Sequence, residues 1–402
     1  VDNPSTPAGI RYGRSIRSLW ELADDATFLN HGSYGACPKI VLAEQDRIRV
    51  AMEREPDAFF RNEIQPREGA ETALRRAASA FAAFVGVEGR QLAFVENATV
   101  GAQAVLRAIS FKRGDRILVT NHTYNAVRLM VDARCAETGA EPAVARIPLP
   151  AGEDATVERI IEACVPGVKI AVLDHITSPT ALLLPLDRII PELRRRGVVI
   201  FVDGAHGVGQ VPLDLKALAP DWYVSNGHKW LYCPKGCAFL YASDTVAPMT
   251  RPNVVSHFHA MEFPLAFDYT GTRDNSGWLA VPAAIRFLEG LDPGAARAHM
   301  RAILERCTAE LETLGAKPIA PLAPNVAMRS FHLPQDRPAT PDDAALMMRG
   351  LWEEERIQVA CHAFEGRLLL RVSAQAYVDN EDIGRLAQAL ARRGWPGRGG
   401  KQ

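Results

Sequence analysis

Short apolar runs that end in polar residues recur through the middle of the chain, separated by stretches of helical periodicity. Gln91 to Val95 is one such run. Glu96-Asn97-Ala98-Thr99 follows it, and a helical pattern then continues through Ala108. Arg116 to Thr120, Lys169 to Leu173, Val198 to Val202 and Trp222 to Ser225 repeat the arrangement, and Leu186 to Arg196 is an intervening helical stretch. Near-continuous apolar strands alternating with helices predict a mainly parallel sheet of an α/β fold, covered on both faces. Ligands of such sheets bind beyond the carboxyl ends of the strands. Thr99, His122, Asp203 and Lys229 each fall at or just past a predicted strand end, so one rim should gather them.

The pattern changes near Pro282. A long helical stretch, Ala283 to Leu314, precedes a strand at Asn325 to Leu333. Thr340-Pro341-Asp342-Asp343 has the cap residue, the first-turn proline and the early acids of a helix start. Ile357 to Phe364 and Arg367 to Val372 read as two strands, Asn380 to Arg393 as a closing helix, and Gly397 to Gln402 as a frayed tail. The expected organisation is an N-terminal arm with helices (1–75), a large α/β domain (76–281) and a smaller α+β domain (282–402).

A chain of 402 residues exceeds the size at which single cores stop growing, which agrees with two domains. Its net charge of -1 gives no polyelectrolyte character, so neither a nucleic-acid nor a membrane partner is expected. Val1 to Leu19 carries Arg11, Arg14 and Arg17 but no apolar core of signal-peptide length, and no apolar run approaches about 18 residues. The expectation is a soluble cytoplasmic protein. Seven scattered cysteines suit reduced thiols. Cys233 and Cys237 lack a second Cys or His pair at matching spacing, so no metal is expected.

Chemistry enters with Lys229, in Val224-Ser225-Asn226-Gly227-His228-Lys229-Trp230, and with Asp203, 26 positions upstream. A lysine amine can hold an aldehyde cofactor as a Schiff base, and a buried aspartate can keep a pyridine nitrogen protonated. The pair therefore points to pyridoxal phosphate (PLP). That cofactor also needs an anion site. Asn97-Ala98-Thr99-Val100-Gly101, at a strand-to-helix junction, offers free N–H groups and a hydroxyl, although Asn97 or Thr99 is equally an ordinary helix cap. Asn226 and His228 add donors, or satisfy a turn. His122 or Tyr124 could lay an aromatic ring on the cofactor. His206 could tune the Schiff base through the cofactor's phenolic oxygen, or cap a helix.

Asp203-Gly204-Ala205-His206-Gly207 followed by Asn226-Gly227-His228-Lys229 resembles the signature of the class V aminotransferase branch of fold-type I PLP enzymes. The resemblance spans Leu29 to about Leu390. Within the branch, Phe28-Leu29-Asn30-His31-Gly32-Ser33-Tyr34-Gly35, Tyr269-Thr270-Gly271-Thr272-Arg273-Asp274 and Leu370-Arg371-Val372-Ser373-Ala374-Gln375 are most similar to the isopenicillin N epimerase-like group. It implies a large PLP-binding domain with a seven-stranded-type sheet and a smaller α+β domain, of the aspartate aminotransferase-like kind.

Residue by residue, the resemblance implies Lys229 as Schiff-base lysine, Asp203 as pyridinium partner and His206 near the phenolic oxygen. Ala98, Thr99, Asn226 and His228 would surround the phosphate, and His122 would stack on the ring. Thr272 would reach the phosphate of a neighbouring subunit, which implies a homodimer with shared sites, its interface including the N-terminal arm. Arg371 would grip a substrate α-carboxylate, with Asn30 and His31 bordering the substrate. Ser178 falls where relatives place an Asn, so its role stays open.

The expected activity is at the α-carbon of an amino acid or a derivative, through an external aldimine and a carbanion. Epimerisation or C–S/β-elimination is the first expectation; transamination or a cysteine desulfurase-type reaction is the alternative. Cys361, ten residues before Arg371, sits in a strand-like stretch and does not match the position of a desulfurase nucleophile. A nucleotide-binding oxidoreductase is disfavoured because no Gly-x-Gly-x-x-Gly opens a βα unit. Intact Lys229, Asp203 and Arg371 argue against a silent scaffold.

Overall fold

A computed structural model of the chain describes residues 10–67 and 71–393. The predicted tail, Gly397 to Gln402, lies outside them. Strand β1 (Thr27–Phe28) belongs to the N-terminal segment. The central sheet is built from β2 (Leu92–Val95), β3 (Arg116–Thr120), β4 (Glu141–Ala145), β5 (Val168–Asp174), β6 (Val199–Asp203), β7 (Trp222–Ser225) and β8 (Ala238–Ala242). Their order is β2-β8-β7-β6-β5-β3-β4. β3 to β7 form the parallel pairs, and β8 runs antiparallel between β7 and β2. The mainly parallel seven-stranded expectation is thus met.

Burial on both faces explains why these strands read as apolar runs. All residues of β2, β7 and β8 are buried. Phe81, on the helix Ala73–Phe84, meets Phe239 of β8 edge-on at 4.7 Å on one face, while Phe201, Trp222 and Leu240 belong to the cluster on the other. At about 25 cal/mol per Å² of apolar area, such two-sided burial is the main favourable term.

The smaller sheet, ordered β12-β13-β10-β9, contains β9 (Lys317–Pro318), β10 (Met328–His332), β12 (Ala360–Phe364) and β13 (Arg367–Ser373). All its pairings are antiparallel. Two expectations are corrected here. Ile357 to Phe364 is not one strand: β11 (Ile357–Gln358) pairs in parallel with β1, and only β12 joins β13. The chain changes partner at Val359, which fixes the N-terminal segment to this unit. The stretch Ala283 to Leu314 is likewise two helices, Val281–Gly290 and Pro293–Thr313, because Asp292 turns left-handed (φ +48°) and caps the second while Pro293 opens it. The helix start at Thr340 forms as expected, with a reciprocal Thr340–Asp343 capping box.

Candidate active site

Parallel strands bring the ends of β2, β3, β5, β6 and β7 to one rim. Asp203 closes β6, and beside it in register Asp174 closes β5. Past β6 the chain folds tightly over the Tyr223 ring. A Cβ on Gly204 would stand 2.0 Å from Tyr223 Cζ, so only glycine fits that approach. Past β7, a single turn of helix, Gly227–Trp230, carries Lys229. Gly35 (φ +68°) brings the N-terminal loop against this turn, where a Cβ would meet the His228 carbonyl at 2.1 Å.

The Lys229 amine is buried. Burial, with the Arg371 charge adding to it, lowers its pKa to about 7, while Asp203 acts in the opposite sense. Its Nζ lies 3.3 Å from His206 Nε2, and the Trp230 indole N–H donates to His206 Nδ1, also at 3.3 Å. Asp203 Oδ1 accepts from the Ala205 N–H at 2.9 Å. Burial pushes the Asp203 carboxyl up, and the Ala205 N–H and the Lys229 charge pull it back. A desolvated carboxyl in this state is suited to a cation placed against it.

The helix Ala98–Ala108 starts just past β2, with the Asn97 side chain capping the Val100 N–H. Asn226 Oδ1 accepts from the Ala98 N–H at 2.9 Å, tying this helix start to the lysine turn. His228 donates Nδ1–H to the Cys237 carbonyl at 3.1 Å. The Thr99 hydroxyl and N–H and the Asn226 amide remain as anion donors at a positive helix end, while His228, its one N–H given to Cys237, leaves a bare Nε2. Thr272 is exposed and, among the described residues, bonds Tyr269 at 2.8 Å, while its neighbour Arg273 pairs with Glu96 beside the helix start.

Arg371, on β13, is buried, and burial lowers its pKa to about 10. Nη1 donates to the Ser178 carbonyl at 2.6 Å and to Ser178 Oγ at 3.3 Å; Nη2 donates to Ser33 Oγ at 3.0 Å and Asn30 Oδ1 at 3.3 Å. Asn30 and Ser178 thus hold the guanidinium. His31 takes another position: it donates Nε2–H to the Lys229 carbonyl at 2.9 Å and accepts from the Tyr377 hydroxyl at 2.7 Å. Both ring nitrogens are used, and His31 supports the lysine turn from behind.

His122 and Tyr124 differ in the same way. His122 is fully buried, donating to the Ile147 carbonyl and bonding Thr180 Oγ1 at 2.8 Å, with its ring 4.6 Å from Phe364. Tyr124 is 43% exposed and caps the helix Asn125–Thr138. The Tyr124 phenol lies near the Arg371 guanidinium, and its backbone N–H lies near the Asp174 carboxyl, where it favours the ionised form.

Sequence reasoning missed two residues. Asp174 is buried with Oδ2 unpartnered, and its carboxyl is pushed well up by burial and by Asp203. His362 lies on the same face of the small sheet as Arg371, two residue pairs along, its Nε2 buried and unpartnered among the described residues. With Ala360 opposite Arg371 in the hairpin, a period-two count forward from Ala360 reaches His362. Cys361 is buried and burial pushes its thiol up to about 12.

These side chains suit pyridoxal phosphate: a buried amine whose pKa is lowered to about 7, a desolvated carboxyl whose ionised form a protonated ring nitrogen would stabilise, and a helix start with donors for phosphate. Comparison with known proteins agrees. Residues 58–386 match the family model described as Aminotransferase class-V. Isopenicillin N epimerase of Amycolatopsis lactamdurans is 33% identical over 398 residues, spanning 94% of this chain and 97% of that protein. Putative L-cysteine desulfhydrase 1 of Oryza sativa subsp. japonica is 34% identical over 286 residues, spanning 66% of this chain and 58% of that longer protein. In fold, the chain is similar to the apo structure of a cysteine desulfurase from Thermococcus onnurineus NA1, with a TM-score of 0.79 at 18% identity over 96% of this chain and 99% of that one.

Proposed function

The chain belongs to the class V aminotransferase family, and on that premise we propose that it is a PLP-dependent enzyme that moves a proton at the α-carbon of an amino acid, as an epimerase or a C–S/β-elimination lyase. The observation that carries this is the Lys229 amine, buried beside Asp203 with its pKa brought to about 7. When bound, pyridoxal phosphate supplies an aldehyde that takes up amines and a ring that withdraws electron density from the α-carbon.

The chain's own residues do the rest. Lys229 would hold the cofactor covalently, and once displaced by substrate its free amine takes the α-proton at Nζ, since a base near pH 7 works best at that pH. Asp203 holds the ring nitrogen's proton. Thr99 and Asn226 donate to the phosphate, His228 shapes the loop beside it through its bond to the Cys237 carbonyl, and Thr272 of a second copy completes the site in a homodimer. Arg371 binds the substrate carboxylate through its planar fork, exchanging Ser178, Asn30 and Ser33 for substrate oxygens. Tyr124, with a free exposed ring, is the aromatic at the mouth; His122, its nitrogens engaged, fixes the loop beneath.

Persulfide chemistry on Cys361 is disfavoured, because a buried thiol with its pKa at about 12 supplies little thiolate. Transamination is the remaining alternative. Among the described residues no helix is long and apolar enough to cross a membrane, and a cytoplasmic location is part of the proposal. The test is a screen of the PLP-loaded chain against L- and D-amino acids and cysteine S-conjugates, following chirality, sulfide and keto acid separately. Chirality change or sulfide release supports the proposal; keto acid formed with loss of the cofactor's visible band would replace it with transamination.

A further inference from the structure

Lys229 and Trp230, neighbours in sequence, both reach His206, and they reach opposite nitrogens of its ring. The Trp230 indole N–H lies 3.3 Å from Nδ1, and Lys229 Nζ lies 3.3 Å from Nε2. An indole nitrogen only donates. Nδ1 must therefore be bare, and in a neutral ring the single proton sits on Nε2, directed at the lysine. The lysine nitrogen must then accept, which a free amine does and an ammonium does not. We propose that Trp230 is a positioning residue that holds His206 as its Nε2–H tautomer, making the imidazole a fixed donor toward the Lys229 nitrogen and barring it from acting as a second base.

The alternatives conflict with the geometry. The Nδ1–H tautomer and the imidazolium each set two N–H groups against one another inside a buried site, and leaving a buried donor unpaired costs about 1–3 kcal/mol. No other bond recorded to the ring among the described residues compensates, since the nearby Gln210 amide binds the His206 backbone carbonyl. Burial disfavours a positive imidazole first, and the Lys229 and Arg371 charges oppose it further.

The indole is itself held firmly. Trp230 is buried, its ring 5.0 Å from that of His31. Gly209 (φ +79°) packs on its carbonyl, where a Cβ would come within 2.4 Å. A tryptophan so fixed sets where its N–H points. The functional weight of the device rests on the cofactor assignment of Lys229: with His206 locked as a donor, the lysine is left as the group of this pair that gains and loses protons near neutral pH. A donor fixed on Nε2 also serves the phenolic oxygen expected near His206.

Nitrogen NMR of the full chain with ¹⁵N-labelled histidine, with and without PLP, reads the tautomer directly, the His206 signals being assigned by their loss in His206→Gln. Wild type should show a bare Nδ1 and a protonated Nε2 from about pH 8 to pH 9, above the Lys229 pKa of about 7, where the free amine accepts. Trp230→Phe keeps an aromatic ring without the N–H. It should give mixed tautomers and raise the pH at which the ring protonates by about one unit. A protonated Nδ1 in wild type overturns the proposal, and so does a Trp230→Phe chain with tautomer and titration unchanged. If Trp230→Phe does not fold, the wild-type spectrum alone decides. Failure of PLP to attach at Lys229 would refute the cofactor assignment instead, leaving the tautomer measured without PLP to stand or fall separately.

Discussion

Asp174 and Asp203 end neighbouring parallel strands in register, so two buried carboxyls stand side by side at the rim where the cofactor is expected. Both are raised by burial, and the Asp203 charge raises Asp174 further. Asp203 has the Ala205 N–H and the Lys229 charge in its favour, whereas Asp174 Oδ2 has no partner.

The sign of the resulting pH dependence follows. Asp203 must be ionised to pair with a protonated ring nitrogen, so PLP affinity should fall as pH drops through its elevated pKa. Asp174 is raised further and stays protonated as Asp203 ionises, so Asp174→Asn replaces one neutral group by another and should leave that fall within about half a pH unit. Fluorescence titration with PLP at several pH values checks it, and a midpoint moved clearly to lower pH would show that Asp174 carries a charge while Asp203 titrates.

Removing the charge of Arg371 should act on Lys229 in the opposite direction. The guanidinium helps hold the amine at about 7, so Arg371→Gln should raise that value by about one unit. The rate at which acetic anhydride labels Lys229 in the cofactor-free chain, followed against pH by mass spectrometry, reports it.

Arg371→Lys keeps the charge but loses the planar fork. KM for an α-amino acid should rise about 10- to 100-fold, as expected when a charged hydrogen bond worth roughly 1.5–3 kcal/mol is lost. Steady-state kinetics on whichever substrate the screen identifies measures this.

Gly35→Ala combines a left-handed backbone with a Cβ 2.1 Å from the His228 carbonyl. It should destabilise the protein by about 2–4 kcal/mol and weaken PLP binding by displacing the lysine turn. Urea unfolding and PLP titration together test both halves.

Cys361→Ala should leave any sulfide release from cysteine within about twofold of wild type, because the buried thiol is not ionised near neutral pH. Loss of sulfide release in a folded variant would restore the desulfurase-type reaction.

The sequence showed the parallel sheet because its strands are buried on both faces and so read as apolar runs. Lys229 and Asp203 were legible because their chemistry needs those residue types together. Partnership across the fold was harder to see. Asp174 looked like an ordinary polar strand end, since its meaning depends on the register between β5 and β6. His362 faces the site only through the β12–β13 pairing. His31 bordered the expected substrate site in sequence, yet Tyr377 and the Lys229 carbonyl turn it behind the lysine. The break at Asp292-Pro293 carried a visible signal, a capping acid before a proline, that the surrounding helical periodicity masked.

The central claim is that Lys229 carries the cofactor. Reducing the PLP-loaded chain with borohydride and mapping the label by peptide mass spectrometry tests it most directly. A single pyridoxyl group on Lys229, absent from a folded Lys229→Ala variant, is the predicted result; a label on another lysine, or none, would contradict it.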